Sequence, residues 1–555
     1  MKFFCCKKRQ HISLNLLWML FLGLVVLMVL YNGTLISQAK THTKTEEKIK
    51  TKEKIKITRT LNTNNKTAKA SPVMNVNKGY CSPTHSFRIQ WRNDSAIEME
   101  NARKWLQKFD AMFSPFSFTH ETIEKYIVNV EGLQCFKEGT DFEKTAQNAT
   151  GCKCLVDWFG RHCSVPRIAC EHTKELTFSL RSKPRRIIQT FPFLNEWAML
   201  RHRLHDTGDI VDAFIITEGI YTGYGDPKNI SFLPRLFADD NGFPHGIGKK
   251  IIPRVMNYFP KSAMKNGWEP ETHIRNFAFR SGHPEELAGL VADDDIILLT
   301  DADEVPSRES LLFLKLHDDI PEPYNLNLKK TVYGFFWREG EWIMQAGMTF
   351  RMFRTLFKSS PNLIRRRAYL REIHGEVDDY YKNNMRKNTT NSSSSIRRGP
   401  FNIGSRSRPA GFHCSWCTEP LGIQTKLLSA INEDFPRWGD YPTKCTLSYL
   451  DSLIAQGRWF NERNCFTDNT DKTRRHKKDF APSYIVNNPQ EFSYLLDKPT
   501  LAMNLTSPAC RIGASIDHGV FLKNWHRMNG QQLTEAMQQC KTEPTKDLLE
   551  VVTGN

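Results

Sequence analysis

The stretch from Val291 to Pro306, VADDDIILLTDADEVP, constrains the fold more than any other part of the chain. It opens on Asp293, Asp294 and Asp295, runs through four apolar residues, Ile296 to Leu299, and closes on Asp301, Asp303 and Glu304 before Pro306. A short apolar run between turn-forming residues is the pattern of a strand buried on both faces, as in a parallel sheet. The proline stops it. The second acidic cluster then sits just past the carboxyl end of an inner strand, which is where open α/β sheets bind their ligands.

Two aspartates spaced as Asp301-Ala302-Asp303 concentrate negative charge that is costly unless a cation or hydrogen-bond donors offset it. Oxygen ligands suit a hard divalent ion, Mg²⁺ or Mn²⁺, of the kind that also engages substrate phosphates. A solvated acidic turn is the other reading of an isolated tripeptide. The strand in front of it favours the cation.

At 555 residues the chain has room for two or three domains, and 11% aromatic content fits a globular enzyme better than a disordered protein. The net charge of +17 raises nucleic acid as a partner, so its placement decides. Lys2, Lys7, Lys8 and Arg9 carry four positive charges and residues 31–78 a net of eight, which leaves only +5 for residues 79–555. No basic stripe follows, and nucleic acid is set aside.

From Ile12 to Tyr31 the chain is uncharged and mostly apolar, just long enough to span a bilayer as a helix. A cleaved signal peptide competes, but the apolar core is longer than such peptides need and Ser37-Gln38-Ala39 is a poor cleavage site. The basic residues before the run leave residues 1–11 cytosolic and the rest luminal. Residues 32–78, rich in Lys, Thr and Asn, form a flexible stem. Apart from Cys5 and Cys6, twelve cysteines remain, an even number that suits an oxidising compartment, as do the sequons at positions such as Asn229.

Within a cysteine-rich region at 79–172, Cys152-Lys-Cys154 followed by Gly160 and Cys163 resembles the C-terminal half of an epidermal-growth-factor-like module. That resemblance implies a Cys154–Cys163 bridge, with Gly160 in a turn and Trp158 or Phe159 over the bridge. From Arg185 onward, strands at 186–190 and 210–218 alternate with a helix at 196–205, and the acidic strand joins them. This alternation predicts an α/β domain with a mostly parallel sheet over residues 173–500.

Five blocks, Gly208 to Phe214, Asp301 to Glu304, Tyr333 to Trp337, His413 to Cys417 and Asp434 to Tyr441, resemble glycosyltransferase family 17. The likeness runs in order over about residues 130–500. It implies a GT-A-like fold, a UDP-GlcNAc donor, an inverting reaction that places a bisecting GlcNAc on N-glycans, and a type II Golgi membrane protein with its catalytic domain luminal. Asp301 and Asp303 would then hold a divalent cation against the departing diphosphate. His413 would be a third ligand, although a packed, hydrogen-bonded histidine explains it as well.

The acceptor hydroxyl needs a base, and Asp434 is assigned to it, with Glu433, Asp440 and Glu304 competing. Asp434 can equally be a helix cap. Glu218, ending the second strand, is assigned to the nucleotide. Arg366, in the centre of Arg365-Arg366-Arg367, is assigned with its neighbours to the phosphates. Tyr333 to Trp337 and Trp342 can stack on sugar or be core. Cys414 and Cys417 are expected to be bridged. Residues 383–409 and 472–478 have the composition of loops, residues 501–555 are a C-terminal extension without an assigned role, and the oligomeric state is open. Two other functions remain: the same scaffold with another sugar or acceptor, and a tethered glycan-binding protein without activity.

Overall fold

The computed structural model describes residues 96–499 and 511–512, except 148–149, 171–177, 224, 261, 263–267, 280–284, 288, 367, 385–399, 430–437, 439–441, 461–463 and 471–479. The apolar run at 12–31, the stem and nearly all of 501–555 lie outside the described residues, as does the loop expected at 472–478. Among the described residues no helix is long and apolar enough to cross a membrane.

Among the described residues ten strands form one sheet. In chain order they are β1 (Ile187–Pro192), β2 (Ala213–Gly219), β3 (Ile251–Met256), β4 (Ile296–Leu299), β5 (Glu304–Pro306), β6 (Tyr324–Val332), β7 (Gly334–Thr349), β8 (Phe401–Ile403), β9 (Gly411–Ser415) and β10 (Thr467–Asp468). Their spatial order is β5-β9-β6-β7-β4-β1-β2-β3, with β8 beside β6 and β10 beside β7.

The half built from β4, β1, β2 and β3 is parallel, as the strand and helix alternation predicts. The other half is mixed, which corrects the expectation of a mostly parallel sheet. The physical reason is the hairpin of β6 and β7, two long strands joined through the single residue Tyr333, which can only pair antiparallel. Tyr333 turns the chain at φ 63°, and its hydroxyl, donating to the Arg458 carbonyl at 2.9 Å, holds that conformation. Strand β7 then pairs antiparallel with β4.

Strand β4 coincides with the apolar run of the sequence and is fully buried. Ile296 and Leu298 face one core, Ile297 and Leu299 the other, so the strand is covered on both sides. Each such side chain contributes about 1.5–3 kcal/mol of burial. Helix α1 (Trp197–Thr207) connects β1 to β2, and α2 (Glu269–Phe277) precedes β4. Helix α3 (Arg308–Leu316) follows β5, α4 (Pro361–Arg365) follows β7, and α5 (Pro420–Ser429) follows β9.

Two disulfides, Cys135–Cys152 and Cys154–Cys163, staple the cysteine-rich segment. Trp158 is buried there with its ring 5.0 Å from that of Phe136, and Gly160 takes φ 89° in the turn. The segment is fastened to the sheet domain by Arg308, which donates to Glu138 at 2.6 Å and to Asp209 at 2.6 Å. Within 383–409, expected to be loop throughout, Phe401–Ile403 is strand β8, paired in parallel with β6. Phe401 and Ile403 are buried, so a short apolar signal was hidden by the polar residues around it.

Candidate active site

The turn that follows β4 is built from below. Arg203 lies on the buried stripe of α1, among Met199, Leu200, Leu204 and Thr207 at helical spacing, and is itself fully buried. It donates to Thr300 Oγ1 at 2.7 Å and to the carbonyls of Asp301, Ala302 and Glu304 at 2.7, 3.1 and 2.9 Å. One guanidinium thus fixes the backbone of the whole acidic turn. Burial pushes its pKa down to about 9, which the carboxylates of Glu304, Asp303 and Asp301 oppose.

The side chains of the turn diverge. Asp301 points onto two arginines: Arg275 of α2 donates to Oδ1 through Nε at 3.1 Å and to Oδ2 through Nη2 at 2.7 Å, and Arg365 at the end of α4 donates to Oδ2 at 2.9 Å. Burial works against the Asp301 charge, but the arginines outweigh it and hold the carboxyl well below the usual range. Arg275 also pairs with Glu271, whose pKa burial raises.

Glu304 is buried with both oxygens engaged. Oε2 accepts the Asp301 N–H at 2.7 Å, and Oε1 accepts Trp342 Nε1 and Arg365 Nη2, both at 2.7 Å. This arrangement gives Glu304 the work of locking the turn instead of the base work considered for it. It likewise gives Asp301 two guanidinium partners in place of an open coordination position.

Asp303 points the other way, toward β9 and α5. The antiparallel register of β5 and β9 pairs Glu304 with His413, which puts the imidazole beside the turn. Asp303 Oδ1 is 3.8 Å from His413 Nε2, and Oδ2 is 3.4 Å from Lys426 Nζ. Burial pushes His413 below the ordinary histidine range, against the pull of Asp303 and Glu304, so its neutral form prevails at neutral pH. Its Nε2 also lies 3.0 Å from Ser415 Oγ, while Nδ1 is buried without a hydrogen-bond partner among the described residues. Lys426 is shared with Glu196 at the start of α1, 2.8 Å away. The Cys414–Cys417 bridge follows His413 directly and fixes the end of β9.

Among the described residues no three His, Cys, Asp or Glu side chains gather as a metal cage. Two donors nonetheless fit an ion. A carboxylate oxygen and a neutral imidazole nitrogen are compatible with Mn²⁺. Their separation of 3.8 Å is within the limit of about 4.2 Å for two ligands at ~2.1 Å from one centre. Asp301 is taken up by Arg275 and Arg365.

Other assigned residues fall elsewhere. Glu218 ends β2 but accepts from Ser231 N at 2.7 Å, Ser231 Oγ at 2.8 Å, Phe232 N at 3.1 Å and Lys228 Nζ at 3.1 Å, so it folds the loop after that strand. Arg366 is half exposed and pairs with Glu372 at 2.8 Å, whereas its neighbour Arg365 reaches the turn. Tyr333, Phe335, Phe336 and Trp337 are core. Trp342, half-buried, has its ring 5.1 Å from that of His413. Asp434, Glu433 and Asp440 lie outside the described residues.

Residues 159–358 match the family described as Glycosyltransferase family 17, and this match contains β1 to β7 and the acidic turn. The resemblance to that family stands. The proteins named Beta-1,4-mannosyl-glycoprotein 4-beta-N-acetylglucosaminyltransferase from Rattus norvegicus, Mus musculus and Homo sapiens are each 35% identical to this chain over 352 residues. The matched part is 63% of this chain and 62% of each relative. His413 and Lys426 lie beyond the segment that matches the family 17 description, and the folded chain places both beside Asp303.

Proposed function

We propose that the protein is an inverting glycosyltransferase with a GT-A-like catalytic domain, moving N-acetylglucosamine from UDP-GlcNAc to the β-linked core mannose of N-glycans in β-1,4 linkage. The observation that carries this reading is the divided acidic turn, one aspartate anchored on arginines and the other offered beside a neutral histidine, inside the segment that resembles family 17. In the transfer, mannose O4 attacks the anomeric carbon, the bond from that carbon to the diphosphate breaks, UDP leaves, and the hydroxyl proton passes to a base. Because the donor is α-linked and the product β-linked, one displacement suffices and no covalent enzyme intermediate is needed.

Asp303 and His413 are the residues that would hold a divalent cation, Mn²⁺ or Mg²⁺, whose contribution is to neutralise charge on the departing diphosphate. Arg203, Arg275 and Arg365 keep the turn rigid, so that Asp303 is pre-aimed at no cost during reaction. Trp342 and His413 set a pair of rings beside the turn. Asp434 is proposed as the base, with Glu433 and Asp440 next to it. The N-terminal apolar run is proposed to anchor the chain in the Golgi membrane with residues 79–555 luminal.

The test is the product. The purified protein, given a defined biantennary N-glycan, UDP-GlcNAc and Mn²⁺, is expected to add one N-acetylhexosamine that linkage analysis places on O4 of the core mannose. A different donor requirement or linkage overturns the specificity. Binding of the glycan without turnover of any UDP-sugar would overturn the enzyme reading.

A further inference from the structure

Lys426 is not part of the acidic turn. It comes from α5, 123 residues further along the chain, and its side chain is only 18% exposed. Its ammonium lies between two carboxylates, at 2.8 Å from Glu196 Oε1 and 3.4 Å from Asp303 Oδ2. Glu196 is itself fixed, its Oε2 accepting the backbone N–H groups of Leu194 and Asn195 at 3.1 Å each, just past β1. The helix that carries Lys426 is tied down beside it, since Asn195 Nδ2 donates to the Gly422 carbonyl at 3.0 Å and Gly223 N to that of Ser429 at 3.0 Å. The lysine is therefore held in place by its surroundings, and little solvent screens its charge.

We propose that Lys426 is the built-in counter-cation of Asp303, a positioning residue that draws Oδ2 to itself, leaves Oδ1 toward His413, and competes with a divalent cation for the same carboxylate. The proposal rests on the reading of Asp303 and His413 as cation donors. Of its two contacts the one to Glu196 is shorter, so the Asp303 contact is the looser and the one a second cation weakens first. The sign of the effect follows. Lys426 repels a divalent ion at Oδ1, and taking its charge away leaves Asp303 and Glu196 both uncompensated, so the ion is bound more tightly. A lysine that only packs α5 would do the opposite when removed, because the site would loosen.

The experiment titrates Mn²⁺ onto the purified full-length chain and reads the free ion by electron paramagnetic resonance. Lys426→Met is expected to bind Mn²⁺ about ten-fold more tightly than the wild type, the order of one partly screened unit charge. Lys426→Arg keeps the charge and is expected to match the wild type within about two-fold. Glu196→Gln leaves Lys426 wholly to Asp303 and is expected to weaken Mn²⁺ binding about ten-fold. A folded Lys426→Met protein with unchanged or weaker affinity overturns the proposal. Should that variant not fold, Glu196→Gln decides, and unchanged or tighter binding there overturns it. If the wild type takes up no Mn²⁺, the cation reading of Asp303 and His413 falls as well, whereas wild-type binding without the expected differences removes only the role of Lys426.

Discussion

Two aspartates one residue apart meet opposite surroundings. Asp301 lies on the floor of the site, with hydrogen bonds of 2.7–3.1 Å from two arginines, and its turn is tied to Arg203 and Glu304. Asp303 lies toward the roof, where its neighbours stand off at 3.4 and 3.8 Å. The difference teaches that an Asp-x-Asp sequence in a turn is not one chelating unit. One carboxylate is held by two arginines at hydrogen-bond distance, and the other keeps only longer side-chain contacts to a lysine and a histidine.

Substituting the floor carboxylate tests this most severely. Asp301→Ala leaves Arg275 and Arg365, both nearly buried, short of their shared partner, and breaking a buried ion pair from one side costs about 3–5 kcal/mol. The expected result is a large loss in urea-unfolding stability. Asp303→Ala removes only the longer contacts to Lys426 and His413, and its cost is expected to be clearly smaller than that of Asp301→Ala. A protein equally destabilised by both changes would erase the comparison.

The reverse asymmetry is expected in function. Asp303→Asn should lower Mn²⁺ affinity and transfer by at least ~100-fold while the fold survives, since loss of a ligand exceeds what loss of a ligand's supporting hydrogen bond does. Measured side by side with Asp301→Asn, the two substitutions separate a fold defect from a binding defect. Trp342→Phe is a smaller probe of the floor: it keeps an aromatic ring near His413 but removes the N–H that Glu304 accepts at 2.7 Å. Glu304 keeps two other donors, so a loss of about 1 kcal/mol in unfolding free energy is expected, with Mn²⁺ affinity unchanged.

What the sequence could show follows the same division. The strand at Ile296–Leu299 was legible because four apolar residues between carboxylates have no other easy explanation, while the Cys154–Cys163 bridge was implied by the resemblance to an epidermal-growth-factor-like module and the Cys414–Cys417 bridge by a lone C-x-x-C in an oxidising compartment. The partners of the turn were not. Arg275, Arg365 and Lys426 are 26, 64 and 123 residues from the aspartates they meet, and only the mixed sheet brings them there.

The arginine run, assigned to the phosphates as a group around Arg366, illustrates the limit, because Arg365 and Arg366 part company in the folded chain. Helix α4 ends at Arg365, which faces the site, and Arg366 just past it leaves the helical backbone and turns to Glu372. Arg203 did leave a trace, as a lone charge on an otherwise apolar helical stripe. Asp303 and Asp301 could not be told apart, because a turn gives their side chains no fixed period.

The mildest test uses protons to compare the same two places. Burial, the larger influence, keeps the folded-state pKa of His413 below the unfolded value of ~6.5, so the imidazole stays neutral and able to ligate as the medium is acidified to that point. The depressed pKa makes its share of folding stability fully present above pH ~6.5 and lost as pH falls through the folded value. Asp301 has a depressed pKa as well, and its share persists until pH falls below the ordinary carboxylate range near 4. Below pH ~6.5 the roof should therefore begin to weaken before the floor does. Mn²⁺ affinity is expected to be flat from pH 8 to about 6.5 and to decline only as pH falls through the lowered folded-state value, with unfolding free energy falling on the same acid side. In His413→Gln both slopes should flatten over that interval. An unchanged pH dependence of Mn²⁺ binding in that variant would leave the histidine as a packed bystander.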